Sequence, residues 1–79
     1  MINIQQMVEE KELKRRQGNL INFYRRIKRL TQQELGDKLG YSNGVISGYE
    51  RGRTSPSSIE MEKIANILER DLNDFKVLS

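Results

Sequence analysis

Apolar residues recur at helical spacing along most of this chain, and no stretch alternates apolar with polar residues as a half-buried strand would. Leu20, Ile21, Tyr24 and Ile27 form a stripe closed by Leu30, which predicts a first helix from about Asn19 to Arg29. Leu35 and Leu39, four residues apart, share one face of a second helix, and Ile46 and Tyr49 share a face of a third. Ile59, Met61, Ile64, Ala65, Ile67 and Leu68 supply a fourth, running to about Leu68, and Leu72 with Phe75 marks a short fifth. Five short helices with brief connections define an all-α domain.

The ends of these helices are written in the residues between the stripes. Thr31 with Glu34, and Ser57 with Glu60 just after Pro56, are capping boxes. Ser42 and Asp71 are suited to cap the helices that follow them. Gly40 comes straight after the last apolar residue of the second helix, where a left-handed terminus costs glycine least. Gly36 stands where two crossing helices would come closest. Two helices joined by a tight turn containing glycine, from Thr31 to Tyr49, make a helix-turn-helix, and the rest of the chain is expected to serve its presentation.

Residues 1–17 are less determined. Ile4, Met7, Val8 and Lys11 make a weak helical stripe, and Lys14, Arg15 and Arg16 a basic cluster. A helix packed on the body or on a partner, an arm reaching along DNA, and partial disorder all fit. The expectation is a loosely attached helical arm over 1–17, separated by Gly18 from a domain over 18–79.

Composition narrows the chemistry. With 79 residues and neither Cys nor His, the chain has room for one modest core and offers no disulfide, thiol nucleophile or common zinc set. No phosphate-cradling glycine loop is present and the acids form no evident catalytic pair, so an enzyme is not expected, nor a cofactor or metal. The first residues contain acids and no long apolar run, so neither a signal peptide nor a membrane span is expected, and a cytoplasmic location is. The net charge of +3 is unevenly distributed: residues 11–53 hold eleven Lys/Arg against four acids, whereas 54–79 hold three against five. The positive block covers the helix-turn-helix and the segment before it, which is the electrostatic footprint of a nucleic-acid binder.

A specific pattern runs through the same region: Gly18, Ile21, Arg25, Leu30-Thr31-Gln32, Glu34-Leu35, Gly36, Leu39-Gly40, Ser42, Ile46-Ser47, Tyr49-Glu50, Gly52, Pro56 and Ile64-Ala65. In this the chain resembles the Cro/cI-like (XRE) family of helix-turn-helix DNA-binding regulators, over about residues 18–75 and without insertion. The resemblance implies that the third helix reads DNA in the major groove, with Asn43, Gly44, Val45, Ser47 and Gly48 toward the bases. Asn43 has the right donor and acceptor for an adenine edge. Gln32, Ser42, Arg51, Arg53 and Thr54 are then expected at phosphates, and Arg25 with Glu50 is expected to be a structural pair. Two glycines on a reading face depart from commoner relatives. Either they permit close approach to the bases, or these positions touch nothing demanding and DNA shape carries part of the recognition.

The functional expectation is a sequence-specific regulator of transcription, a repressor that binds a palindromic operator as a homodimer. Leu72, Phe75, Val77 and Leu78 are the dimer candidates, although Leu72 and Phe75 equally suit closure of the monomer core. The alternative is an antitoxin or other protein-interaction module, with residues 1–17 toward a protein partner and DNA binding serving autoregulation.

Overall fold

The computed structural model describes residues 3–77, and within them every regular element is helical. Four α-helices, α1 (Ile4–Ile27), α2 (Gln32–Leu39), α3 (Asn43–Glu50) and α4 (Ser58–Ile67), are followed by one 3-10 turn, Leu72–Phe75. The last of the five expected helices is thus the tighter turn, capped as expected by Asp71, whose side chain accepts from the Asn73 amide.

The largest departure from expectation is α1. It runs unbroken for 24 residues through the boundary expected at Gly18. Asn3 starts it with a reciprocal capping box: its side chain accepts from the Gln6 amide, and the Gln6 side chain accepts from the Asn3 amide. Gly18 is buried, and a Cβ there would collide with the carbonyls of Tyr49 and Glu50 at the end of α3. The glycine is therefore a contact point between two helices and not a separator. Its helix-weakening tendency, about 1 kcal/mol relative to alanine, is offset by the packing it allows. At the other end α1 stops at Ile27, two residues before the expected Arg29, because Arg29 turns left-handed at φ 61°.

The helix-turn-helix forms as its residues dictate. Thr31 and Glu34 close a capping box on α2, and Gly40 ends that helix with φ 79°. The Tyr41 amide then donates back to the Gly36 carbonyl at 2.8 Å. A Cβ at Gly36 would fall 2.5 Å from the Tyr41 carbonyl oxygen, so the tight turn requires glycine at that position. Ser57 and Glu60 close the box that opens α4.

One core joins these pieces: Ile21 from α1, Leu35 from α2, Ile46 and Tyr49 from α3, Met61, Ile64 and Ala65 from α4, then Leu68 and Phe75. Each helix gives this core a single face, and burial of those faces supplies most of the stabilisation that short helices lack in isolation. Ile27 and Ile59, expected as stripe members, are instead 59% and 66% exposed. Phe23 is also exposed, edge-on to Tyr24, which in turn packs edge-on against Phe75 and beneath the Arg70 guanidinium.

Candidate nucleic-acid interface

The helix α3 has two unlike faces. Ile46, Tyr49 and Glu50 are buried against α1, α2 and α4, which fixes the rotation of the helix. Asn43, Gly44 and Val45 are exposed, and Ser47 and Gly48 are half-buried. Ser42 sits in the extended conformation of an N-cap, yet its side chain makes no capping bond. An open depression runs along this side, lined by Ser42, Gly44, Val45, Gly48, Arg53 and Thr54. Gly44, Val45 and Gly48, expected at bases, and Ser42, Arg53 and Thr54, expected at phosphates, therefore border one surface, whereas Asn43, Ser47, Gln32 and Arg51 do not line it.

The two glycines on that surface are not required by the fold. A Cβ on Gly44 would meet only the Ser42 hydroxyl, at 3.7 Å, and one on Gly48 only the Thr54 hydroxyl, at 3.4 Å. Both are ordinary contacts. The internal packing of the chain therefore gives no reason for glycine at either position, in contrast with Gly18 and Gly36.

The loop after α3 is held close to the helix: the Arg53 amide donates to the Gly48 carbonyl at 2.9 Å, and the Arg51 amide to the Ser47 carbonyl at 2.9 Å. Gly52 adopts φ 74°, and a Cβ there would lie 2.9 Å from the backbone of Arg15. Positive φ and close approach together account for this glycine. Arg51, Arg53 and Thr54 are exposed, and neither arginine has an ion-pair partner among the described residues.

Behind α3 lies the pair that the family resemblance singles out. Arg25 Nε donates to Glu50 Oε2 at 2.6 Å and its NH2 donates to Oε1 at 3.0 Å, a two-pronged fork. The remaining prong donates to the Leu30 carbonyl at 2.7 Å. Asn22 Nδ2 and Gln32 Nε2 also donate to Glu50 Oε1, at 2.8 and 3.1 Å. Burial is the strongest single influence on Glu50 and disfavours its charge, but the bonds from Arg25, Asn22 and Gln32 outweigh it and hold its pKa below the ordinary value. One carboxylate thus ties together α1, the start of α2 and the end of α3. Gln32 has its amide turned inward to this network, so its side-chain donor braces α3 in this structure.

A second carboxylate hub lies beyond what the sequence predicts. Glu60 completes its capping box through Oε1, while Oε2 accepts from Tyr49 at 3.0 Å and from the Tyr41 hydroxyl. The bond from Tyr41 is the first of the causes that bring Glu60 down to about 2, with the Ser57 cap and Tyr49 adding to it. Burial, then Glu60 itself, pushes Tyr49 up to about 12. From the sequence, Glu60 is legible only as half of a capping box; its second oxygen and the two tyrosines meet through tertiary contact alone.

Of the dimer candidates, Phe75 is excluded by its place in the core, where it is 1% exposed. It closes the monomer instead. Leu72 is 39% exposed, Val77 is half-buried, and Leu78 lies outside the described residues. No helix is long and apolar enough to cross a membrane, and no group of three acids could hold a metal ion, both among the described residues.

Comparison with known proteins agrees with this geometry. The helix-turn-helix family matches residues 23–75, from near the C-terminal end of α1 to the end of the 3-10 turn. The chain is 38% identical over 60 residues to the ImmF control region 10 kDa protein of Bacillus phage phi105, covering 76% of this chain and 67% of that one. It is 40% identical over 52 residues to an uncharacterised HTH-type transcriptional regulator of Methanothermobacter thermautotrophicus, covering 66% of this chain and 75% of the relative. Its fold matches the crystal structure of the clp gene regulator ClgR from Corynebacterium glutamicum with a TM-score of 0.76 at 28% identity, covering 80% of this chain and 67% of that one. The chain belongs to the helix-turn-helix family, of the Cro/cI-like (XRE) type. It is a transcriptional regulator with a helix-turn-helix DNA-binding domain and not an enzyme.

Proposed function

We propose that this regulator is a sequence-specific repressor that binds a palindromic double-stranded operator as a symmetric dimer, with α3 in the major groove. The observation that carries this reading is the division of α3: one face is fixed by Ile46, Tyr49 and Glu50, while Gly44, Val45 and Gly48 line an open surface, Asn43 is exposed, Ser47 is half-buried, and the two glycines have no internal packing role. Asn43 pairs with an adenine edge, Val45 meets a thymine methyl, and Ser47 discriminates less. Gly44 and Gly48 let the helix backbone approach the base edges closely. Arg51, Arg53, Thr54, Ser42 and the first turn of α2 at Gln32 hold phosphates and set the register without reading sequence.

Dimerisation follows from size. One module of this kind contacts too few base pairs for strong discrimination, whereas two on half-sites about 34 Å apart double both contact and specificity. With Phe75 in the core, Leu72, Val77 and Leu78 remain as dimer candidates, the last outside the described residues. The setting of this function is the cytoplasm.

Selection of bound duplexes from a random pool tests the whole reading. A palindromic consensus with one-turn spacing between half-sites is the expected result, and recovery of no consensus would sink sequence-specific binding. The alternative role, holding a protein partner, is favoured by one observation: Phe23 and Ile27 lie four residues apart on α1, 56% and 59% exposed. A stable complex that survives Phe23→Ala with Ile27→Ala would overturn that use of them.

A further inference from the structure

The first half of α1 extends from the domain as an exposed helix. Ile4, Met7, Lys11, Lys14, Gly18, Ile21 and Arg25 are spaced by alternating threes and fours, so they form one row along the helix. The last three of these are buried, with Gly18 against the end of α3 and Arg25 on Glu50. The row then continues outward beyond the body of the domain. Gly18 to Ile4 spans about 21 Å at 1.5 Å per residue, and residues 3–12 are exposed throughout.

Lys11 and Lys14 occupy the row, and Arg15, one turn from Lys11, flanks it on one side; Glu10, one turn before Lys14, flanks it on the other, and Glu9 and Glu12 lie on the far side of the helix. Lys11, Lys14 and Arg15 have no ion-pair partner among the described residues. Arg15 is also the residue against which Gly52 packs, between Arg51 and Arg53. The overhang is therefore anchored to the loop assigned above to phosphates, and its basic row begins where that loop ends.

We propose that Lys11, Lys14 and Arg15 form a second phosphate-binding surface, which holds the DNA backbone flanking the half-site read by α3. The occupant is the duplex itself, chosen by charge and by continuity: three cations with no ion-pair partner among the described residues extend the line of Arg51 and Arg53. The surface carries no base-reading chemistry, so it extends the footprint and raises affinity on all sequences alike. This inference rests on the DNA-binding reading given above.

The test is a salt series of anisotropy titrations with the full chain and a labelled duplex recovered by the pool selection. The duplex is made in two lengths, half-sites alone and half-sites with about one further turn on each side. The variant is Lys11→Gln with Lys14→Gln and Arg15→Gln, which keeps good helix formers at exposed positions; circular dichroism establishes that it folds. On the long duplex the slope of log K against log salt falls by about 0.9 for each phosphate that the variant no longer neutralises. On the short duplex, wild type and variant converge. A variant that keeps the full slope on the long duplex, while Arg53→Gln lowers it, overturns the second surface and leaves the α3 reading intact. If the wild type binds neither duplex with any salt dependence, the DNA-binding reading fails and this inference fails with it.

Discussion

The helices α2 and α3 are the same length, eight residues, and differ in how their N-termini and flanking charges support them. α2 is supported locally: a reciprocal capping box at Thr31 and Glu34, an acid in the first turn, Lys38 in the last, and a left-handed glycine at the end. α3 has only the last of these, in Gly52 at φ 74° just past its C-terminus. Its N-cap side chain makes no bond, its terminal turns carry no helpful charge at either end, and two of its eight residues are glycine. What holds α3 is tertiary contact, through Ile46, Tyr49 and Glu50. A helix stabilised from behind leaves its front residues free of structural duty, which suits a surface whose sequence must answer to DNA.

The largest effect should come from breaking the support behind α3. Glu50→Ala leaves the Arg25 guanidinium buried without its carboxylate, and loss of one partner of a buried pair costs about 3–5 kcal/mol. In a domain this small that is a large part of the total. Denaturant unfolding should show a strong loss, and a loss below about 1 kcal/mol would mean that the pair is not what fixes α3.

Acid should act in the same direction. The pKa of Glu60 is lowered from 4.5 to about 2 by Tyr41, Ser57 and Tyr49, and that of Glu50 is also lowered. A carboxylate with a depressed folded pKa adds stability that is complete above its unfolded value and lost as pH falls through the folded one. The thermal midpoint should therefore drop as pH goes from 4.5 toward 2. In Glu60→Gln the curve should be flatter over that window and lower above it. An unchanged acid profile would remove Glu60 from the account.

Smaller differences separate the two N-termini. Thr31→Ala removes the side-chain half of a capping box and should cost about 1 kcal/mol, whereas Ser42→Ala removes no capping bond and should cost a few tenths at most. Equal losses in thermal unfolding would show that Ser42 caps α3 after all. Gly44→Ala sharpens the contrast from the other side. It should stabilise the fold by up to about 1 kcal/mol, since the new Cβ meets only the Ser42 hydroxyl, and should weaken operator binding where the backbone lies against a base. Unchanged affinity would assign the position to an empty stretch of interface.

Much of this fold is legible from residue order because the devices concerned are local. Capping boxes act over three residues, left-handed termini need glycine, and apolar stripes repeat every three or four positions. Thr31, Gly40, Ser57 and Asp71 therefore announce their helices correctly. The paired roles of Arg25 and Glu50 are visible only through family resemblance, since their separation of 25 positions along the chain hides their contact. What escapes the sequence is where tertiary contact overrides a local rule. Gly18 reads as a breaker by propensity and is retained in a helix because two carbonyls press on it. Ile27 has the spacing of a core residue, but α1 turns that edge to solvent, and Ile59, apolar in composition, lies on the side of α4 opposite Met61, Ile64 and Ala65. Phe75, near the end of the chain, suits a dimer surface as well as a core until Tyr24 is seen beside it.

The Glu60 hub has a consequence for the way this domain opens. Its carboxylate is bonded to the cap of α4, to Tyr41 in the turn and to Tyr49 on α3. Detaching any one of these three segments gives up its bond to that carboxylate. Fraying of the turn alone is thereby suppressed, and the turn, α3 and the start of α4 behave as one cooperative unit. Backbone amides such as Tyr41 and Val45 should then exchange with solvent on the timescale of that unit, so α3 is already rigid in the free protein.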